Sequence, residues 1–269
     1  MSPAKPGSGA DVNILVCVKR VPATAGKITL TADEQEIDTR YLGFTVSPHE
    51  ECAVEEAVRI VETQGGSSTV LTLGPVESVD QLREAMAIGI DRAIHLETDG
   101  SEWSAVDTAA AIVGTIRERE AVDGSFDLIL LGNEAADTGD YQVGVRVAVA
   151  LDRPVVSGIK ALEIRDDAII ARREAAGGGW EVYEVPRPAV VSVREGLNLP
   201  RYPSVPGRLR ARKKEIVRIV PVRASGTTAT AKIRLRVPLE QESAVEILGE
   251  GPEAAPRVVE VLRRLGLIA

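Results

Sequence analysis

Only two cysteines and two histidines occur in 269 residues, which leaves little from which to assemble a metal centre or a nucleophile with its base. Cys17 falls in an expected buried strand and Cys52 in an expected helix, at no spacing that suits a metal or a disulfide. Both read as packing residues. His49 and His95 stand without the cysteines or helically spaced carboxylates that would complete a catalytic set, and they read as structural. No apolar run approaches the roughly 20 residues that a membrane-crossing helix needs. The opening MSPAKPGSGADVN has no apolar stretch of the signal-peptide kind. The expectation is a cytoplasmic chain with no direct membrane insertion. A Walker loop is missing, and no G-x-G-x-x-G joins a strand to a helix, which argues against a P-loop NTPase and an ordinary nicotinamide dehydrogenase. A formal charge of -8 disfavours nucleic acid as a partner.

What is present is a chain with 44% hydrophobic residues, enough to bury a sizeable core in one or two domains. Short β-branched runs alternate with amphipathic segments, the pattern of parallel strands joined by helices. VNILVCV, from Val12, predicts a strand buried on both faces. SPHEECAVEEAVRIVETQGG predicts a helix with a capping box of Ser47 and Glu50, Pro48 at its first position, and Val54, Ala57, Val58 and Val61 on one face. STVLTLG, RAIHLE and FDLILLG predict further strands. VESVDQLREAMAIG, WSAVDTAAAIVGTIRERE and QVGVRVAVAL predict helices. The open sheet is expected to extend to about Leu151. Beyond it, IKALEIRDDAIIARREA, WEVYEV and PAVVSV read as antiparallel decoration around an Asp-Asp turn and a triple glycine. RASGTTATAKIRLRVPLE lacks helical periodicity and reads as an extended arm, and EAAPRVVEVLRRLG as a closing helix.

One segment suits a ligand. In LILLGNEAADTGDYQVGVRVAVAL a buried strand ends at Gly132, a small polar loop follows, and a helix begins near Tyr141 to Gly144. Backbone N–H groups are thereby brought to the carboxyl end of a strand, where α/β folds hold phosphates. The same pattern also fits an ordinary strand-to-helix turn, and Asp137 and Asp140 would repel a phosphate if they faced it. A second segment, EGLNLPRYPSVPGRLRARKKEI, is stiffened by Pro200, Pro203 and Pro206, carries Val205 at its tip and ends in a basic run. It fits a preorganised docking tongue and a solvated basic face alike.

Four ordered motifs, LVCVKRVP (Leu15 to Pro22), CAVEEAVRI (Cys52 to Ile60), LREAMAIGIDRAIHLE (Leu82 to Glu97) and LNLPRYPSVPGRLRARKKEI (Leu197 to Ile216), resemble the β subunit of electron transfer flavoprotein from about Val12 to the C-terminus. The resemblance implies an open, doubly wound, mostly parallel α/β sheet of the Rossmann-like, adenine-nucleotide-binding type, with added antiparallel strands and an extended C-terminal arm. It implies a disordered segment at 1–11, an α/β nucleotide-binding domain at 12–220 that includes a recognition loop at 194–215, and an arm and helix at 221–269 packing on the α subunit.

The implied role is that of an electron carrier rather than an enzyme. Electrons come from flavin dehydrogenases of the acyl-CoA dehydrogenase type and pass to a membrane quinone oxidoreductase, through an FAD shared with the α subunit. A structural AMP would be held by residues matching the family's site: Cys17, Ser47, Pro48, His49, Glu50, Leu73, Gly132, Asn133, Glu134, Ala135, Ala136, Asp137, Thr138, Gly139, Asp140, Tyr141, Gln142 and Val143. Thr24 and Glu174 match positions near the flavin ring, and Val205 the partner anchor. The chain departs from the family pattern where AMP-binding members read N-Q-T-G, having Tyr141, Gln142, Val143 and Gly144 instead. It also has Ser47 for an asparagine, and Ala175 and Ala176 for an acidic pair. The -QVG- ending and Thr24 are similar to an electron-bifurcating branch, in which a second FAD replaces AMP and NADH is the donor. A stand-alone ATP-binding protein of the stress type shares the sheet and loop but lacks the tongue and arm.

Overall fold

The computed structural model of the chain describes residues 11–23, 28–165, 167–223, 232–237 and 246–268. The chain divides into two compact units, one drawn from residues 1–27 and 38–233, the other from 28–37 and 234–269. In chain order the larger unit contains β1 (Val12–Val18), β2 (Val21–Pro22), β3 (Phe44–Thr45), α1 (Pro48–Gln64), β4 (Gly66–Gly74), α2 (Val79–Ile88), β5 (Arg92–Glu97), α3 (Ala105–Asp123), β6 (Leu128–Gly132) and α4 (Val143–Leu151). It continues with β7 (Val155–Ile159), β8 (Ala161–Ile164), β9 (Ala168–Glu174), β10 (Trp180–Pro186), β11 (Ala189–Val193), α5 (Val205–Lys213) and β12 (Ile216–Ile219).

Seven strands form one sheet in the order β12, β5, β4, β1, β6, β11, β7, and every neighbouring pair is parallel. The alternation of side chains along β1 shows how the sheet is covered. Ile14, Val16 and Val18 point into a core layer with Cys52, Ala53, Val54, Ala57 and Val58 of α1, whereas Leu15 and Cys17 point into the opposite layer with Ile112 and Ile116 of α3 and Val147 of α4. Helices on both faces leave the central strands no solvent side, so their sequences run apolar without alternation. Among the described residues no helix is long and apolar enough to cross a membrane.

Local chemistry sets the helix starts. Ser47 caps α1, its hydroxyl accepting from Glu50 N–H at 3.3 Å while the Glu50 carboxylate accepts from Ser47 N–H at 3.0 Å. Ser104 caps α3 in the same sense, accepting from Asp107 N–H at 3.1 Å. At the far end of α1, Gly66 turns the chain into β4 with φ of 103°, and a β-carbon there would stand 2.1 Å from the Val12 carbonyl oxygen.

Two expectations are revised. PAVVSV does not join the antiparallel strands: β11 lies inside the parallel sheet between β6 and β7, and with β7 and β12 it extends that sheet well past Leu151. All five of its residues are buried, the signature of a strand covered on both faces. The antiparallel part is a separate three-stranded sheet in the order β10, β9, β8. The tongue also differs, because its basic run is helical. Ser204 accepts from Gly207 N–H at 3.1 Å and starts α5, with Pro206 in its first turn.

The tongue is held at both ends. Asn198 donates to the Cys52 carbonyl and the Glu56 carboxylate, and Arg201 bridges the buried Glu55 and the exposed Glu62 of α1 at 2.9 and 2.7 Å. Further on, α5 lies against α2. Arg83 donates to the carbonyls of Ala211 and Lys214, and Lys214 donates to the Ile90 carbonyl at 2.7 Å.

The second unit joins residues 28–37 to the C-terminal segment. Leu30 bridges Ile37, and Leu235 N–H donates to the Glu34 carbonyl at 2.8 Å. Residues 232–237 carry neither helix nor strand, and α6 (Ala255–Arg264) closes the chain with no buried residue.

Small residues make the contact of α5 with α2 possible, since a β-carbon on Gly207 would stand 2.3 Å from the Ala87 carbonyl oxygen. Gly207→Ala is therefore expected to lift α5 from α2 and destabilise the fold by about 1–3 kcal/mol. A urea midpoint equal to that of the native chain would refute this packing.

Candidate functional site

The strand order reverses beside β1: the chain passes from β1 outward through β4 to β5, then returns to place β6 on the other flank. At such a switch point the connections diverge to opposite faces and leave a crevice at the carboxyl ends of the strands. The exit of β1, the start of α1 and the loop from Gly132 to Gln142 all meet here.

Glu50 organises the crevice. Its side chain is buried, and besides Ser47 N–H it accepts from Lys19 N–H at 2.9 Å, so one carboxylate ties the exit of β1 to the start of α1. Burial pushes its pKa up from 4.5 to about 7, against the opposing hydrogen bonds from Ser47 and Lys19. Gly132 permits this arrangement, since a β-carbon there would lie 2.7 Å from Glu50 Cγ.

The loop after β6 begins with Asn133 N–H donating to the Val193 carbonyl at 2.9 Å. Gly139 N–H donates to the Ala135 carbonyl at 3.0 Å and closes a turn, in which Gly139 and Tyr141 both take left-handed backbone conformations. The Glu134 carboxylate, followed by burial, raises the pKa of the Tyr141 phenol. His49 Nδ1 accepts from Glu195 N–H at 2.8 Å, which leaves the proton on Nε2, 3.3 Å from Glu134 Oε1. His49 thus links the loop, α1 and the start of the tongue.

Helix α4 begins without a side-chain cap. The Gln142 amide oxygen turns along the helix and accepts from Arg146, at 2.8 Å to Nη2. Among the described residues nothing accepts from the N–H groups of Val143, Gly144 and Val145. Three orphan donors at the positive end of a helix suit an anionic group. The concern over Asp137 is met by Lys19, whose ammonium is paired with that carboxylate at 2.8 Å. Arg194, at the end of β11, is close to the same loop: a β-carbon on Gly158 would meet both Arg194 Cδ, at 3.5 Å, and Asn133 Oδ1, at 3.4 Å. The residues present therefore fit a phosphate-bearing nucleotide.

Not every expected residue presents its side chain to the crevice. The Cys17 thiol lies in the core layer with Leu131 and Val147, and burial, then the Glu50 charge, pushes its pKa up to about 12. It is a packing residue whose backbone alone lies at the strand end. Leu73 sits half-buried near the end of β4 and packs against the same layer. Ser47 spends its hydroxyl on the cap, and Pro48 lacks an N–H altogether. Ala135, Ala136, Thr138 and Asp140 form the loop itself, the last three exposed. Glu174, at the end of β9, pairs with Lys160 at 2.8 Å. Thr24 lies outside the described residues.

Lys19 and Arg194 are absent from the expected set, although each directly follows a buried strand. Val205 is exposed, as expected for an anchor, but Leu199 and Tyr202 are more exposed still, at 91% and 94%, and Leu209 joins them. These four apolar side chains stand uncovered on a segment braced against α1 and α2.

The raised Glu50 pKa has a thermodynamic consequence. A carboxyl that holds its proton more tightly when folded contributes stability fully present below pH 4.5 and lost as pH rises to about 7. The shift corresponds to about 3 kcal/mol. Urea midpoints measured from pH 4.5 to 7.5 are expected to fall more in the native chain than in Glu50→Gln, and parallel pH profiles would contradict the assignment.

The family model described as "Electron transfer flavoprotein domain" matches residues 36–223. The chain is similar to "Electron transfer flavoprotein subunit beta" of Bacillus subtilis, at 32% identity over 94% of this chain and 98% of that one. The human protein of the same name is 31% identical over 96% and 100% of the two chains. That of Thermoanaerobacterium thermosaccharolyticum is 34% identical over 78% of each.

Proposed function

Because the chain belongs to the electron transfer flavoprotein family, we propose that it is the β subunit of a cytoplasmic heterodimeric electron carrier that accepts electrons from flavin dehydrogenases of the acyl-CoA dehydrogenase type and delivers them to a membrane quinone oxidoreductase. The observation that carries this reading is the uncapped start of α4 in the switch-point crevice. It supports a resident nucleotide in a chain whose pairs of ionisable groups do the work of structure. AMP is the assigned nucleotide. The N–H groups of Val143, Gly144 and Val145 would hold its phosphate, and Lys19 offsets the acidic loop through Asp137. FAD, shared with an α subunit, supplies the redox chemistry. Glu174 and Thr24 are the side chains this chain contributes toward it.

The exposed α6 and the segment before it are assigned to the α subunit. Val258, Val259 and Leu265 are uncovered on a helix with no buried residue, which supports a partner lying over them. The surface of Leu199, Tyr202, Val205 and Leu209 is assigned to the dehydrogenase. Its support is preorganised, so docking costs little ordering entropy, and a small apolar contact is enough for a transient complex.

Nucleotides released by acid from the co-purified heterodimer test the cofactor assignment. One FAD and one AMP per heterodimer are expected. Two FAD without AMP would replace this reading by the NADH-oxidising bifurcating one, and ATP bound by the chain alone by the stress-type one. For docking, Val205→Ala is expected to weaken dehydrogenase binding by about 1–2 kcal/mol, about tenfold. An unchanged affinity and electron-transfer rate would remove Val205 as the anchor.

A further inference from the structure

Apart from the nucleotide crevice, the larger unit carries a cleft of about 670 Å³ between α2 and α5, closed on one side by Arg20 and Phe44. The basic run of the tongue divides here. Lys214 and the carbonyl oxygens at the end of α5 are engaged in bracing the helix on α2, the carbonyls by Arg83. Arg208 and Arg212 instead line the cleft and form no ion pair among the described residues. Arg20 stands opposite with its guanidinium carbon 3.3 Å from the Phe44 ring centroid, which restrains the planar fork as a preorganised donor. Asp80 and Glu84 also line the cleft, so the positive charge is concentrated on the α5 and Arg20 sides. Gln81 lines it too; it is buried, and its Oε1 accepts no hydrogen bond among the described residues.

Unused guanidinium donors beside an unused buried amide acceptor ask for a ligand with both functions. A fully deprotonated anion such as sulfate satisfies the arginines and offers Gln81 Oε1 no donor. A peptide segment bearing Asp or Glu supplies a carboxylate and a backbone N–H together. The cleft is also continuous with the exposed apolar surface. Val205, Arg208, Leu209 and Arg212 fall at positions i, i+3, i+4 and i+7 of α5 and share one helical face, whereas Gly207 and Ala211 occupy the buried one. A partner seated on Val205 and Leu209 therefore reaches Arg208 and Arg212 along the same helix.

We propose that the cleft between α2 and α5 receives an acidic peptide segment of the same protein that docks on Val205, its carboxylate pairing with Arg208, Arg212 and Arg20 and its backbone donating to Gln81. This rests on the docking reading above and adds to it the chemistry of the partner surface: an apolar pocket bordered by carboxylates.

The test uses the assembled heterodimer and a purified acyl-CoA dehydrogenase, with affinity measured at low and high ionic strength. Arg208→Gln with Arg212→Gln is compared with Arg210→Gln with Lys213→Gln, which removes the same charge from the same helix outside the cleft. The cleft pair is expected to bind about tenfold more weakly at low salt and the control pair within about twofold of the native protein, with the gap narrowing at high salt. Equal effects of the two pairs would overturn the proposal. So would loss of heterodimer assembly in the cleft pair alone, which would assign the cleft to the α subunit. Saturable binding of inorganic phosphate that depends on Arg208 and Arg212, with dehydrogenase affinity unchanged, would assign it to a small anion instead. Val205→Ala separates the two levels: weakening by Val205→Ala without weakening by the cleft pair refutes the acidic segment alone, whereas no effect of Val205→Ala removes the docking reading and the proposal with it.

Discussion

The buried carboxylate of Glu50 is the interaction on which the rest of the crevice depends. It accepts from Ser47 N–H and Lys19 N–H, and so joins the end of the central strand to the beginning of the first helix. Without those bonds two backbone donors at the base of the crevice would be left buried and unpaired, each a loss of about 1–3 kcal/mol. The same position leaves Lys19 free to extend its side chain to Asp137 across the loop after β6. One acidic residue of a helix cap thereby fixes two of the three walls of the site. The desolvation it suffers outweighs those hydrogen bonds, which is why its pKa is raised.

A second organising feature is the division of labour along the tongue. Polar groups that look like a docking patch in composition are largely spent on holding the segment still. Asn198 and Arg201 are fastened to α1, and Arg83 and Lys214 lock α5 to α2. Apolar side chains are left outward on this rigid support. That arrangement suits a carrier whose contacts with partners must be specific and short-lived, because a preorganised loop allows recognition with a small buried area.

Strand topology decides where the crevice opens in the larger unit's sheet. Parallel strands send all their carboxyl ends to one edge, and reversal of the strand order at β1 opens that edge between β1 and β6. The start of α4 is uncapped, and the Gln142 amide at its N-cap position bonds to Arg146 instead.

Much of this was legible in the residue order. The capping box of Ser47 and Glu50, the buried run of β1, the small-residue loop after Gly132 and the prolines of the tongue are local patterns, and short-range sterics and hydrogen bonding determine local structure. The sequence by itself therefore determined the α/β class, the capped starts of α1 and α3, and the loop between β6 and α4. It misassigned PAVVSV because strand pairing is a contact between distant segments: burial on both faces is visible in the composition, but which neighbours provide it is not. Nor could order along the chain reveal that Lys19 neutralises Asp137, 118 residues away, or that Arg208 and Arg212 stay unpaired while Lys214 is consumed in bracing. Those outcomes depend on which side chains the packed helices bring within hydrogen-bonding reach, and only the tertiary structure decided them.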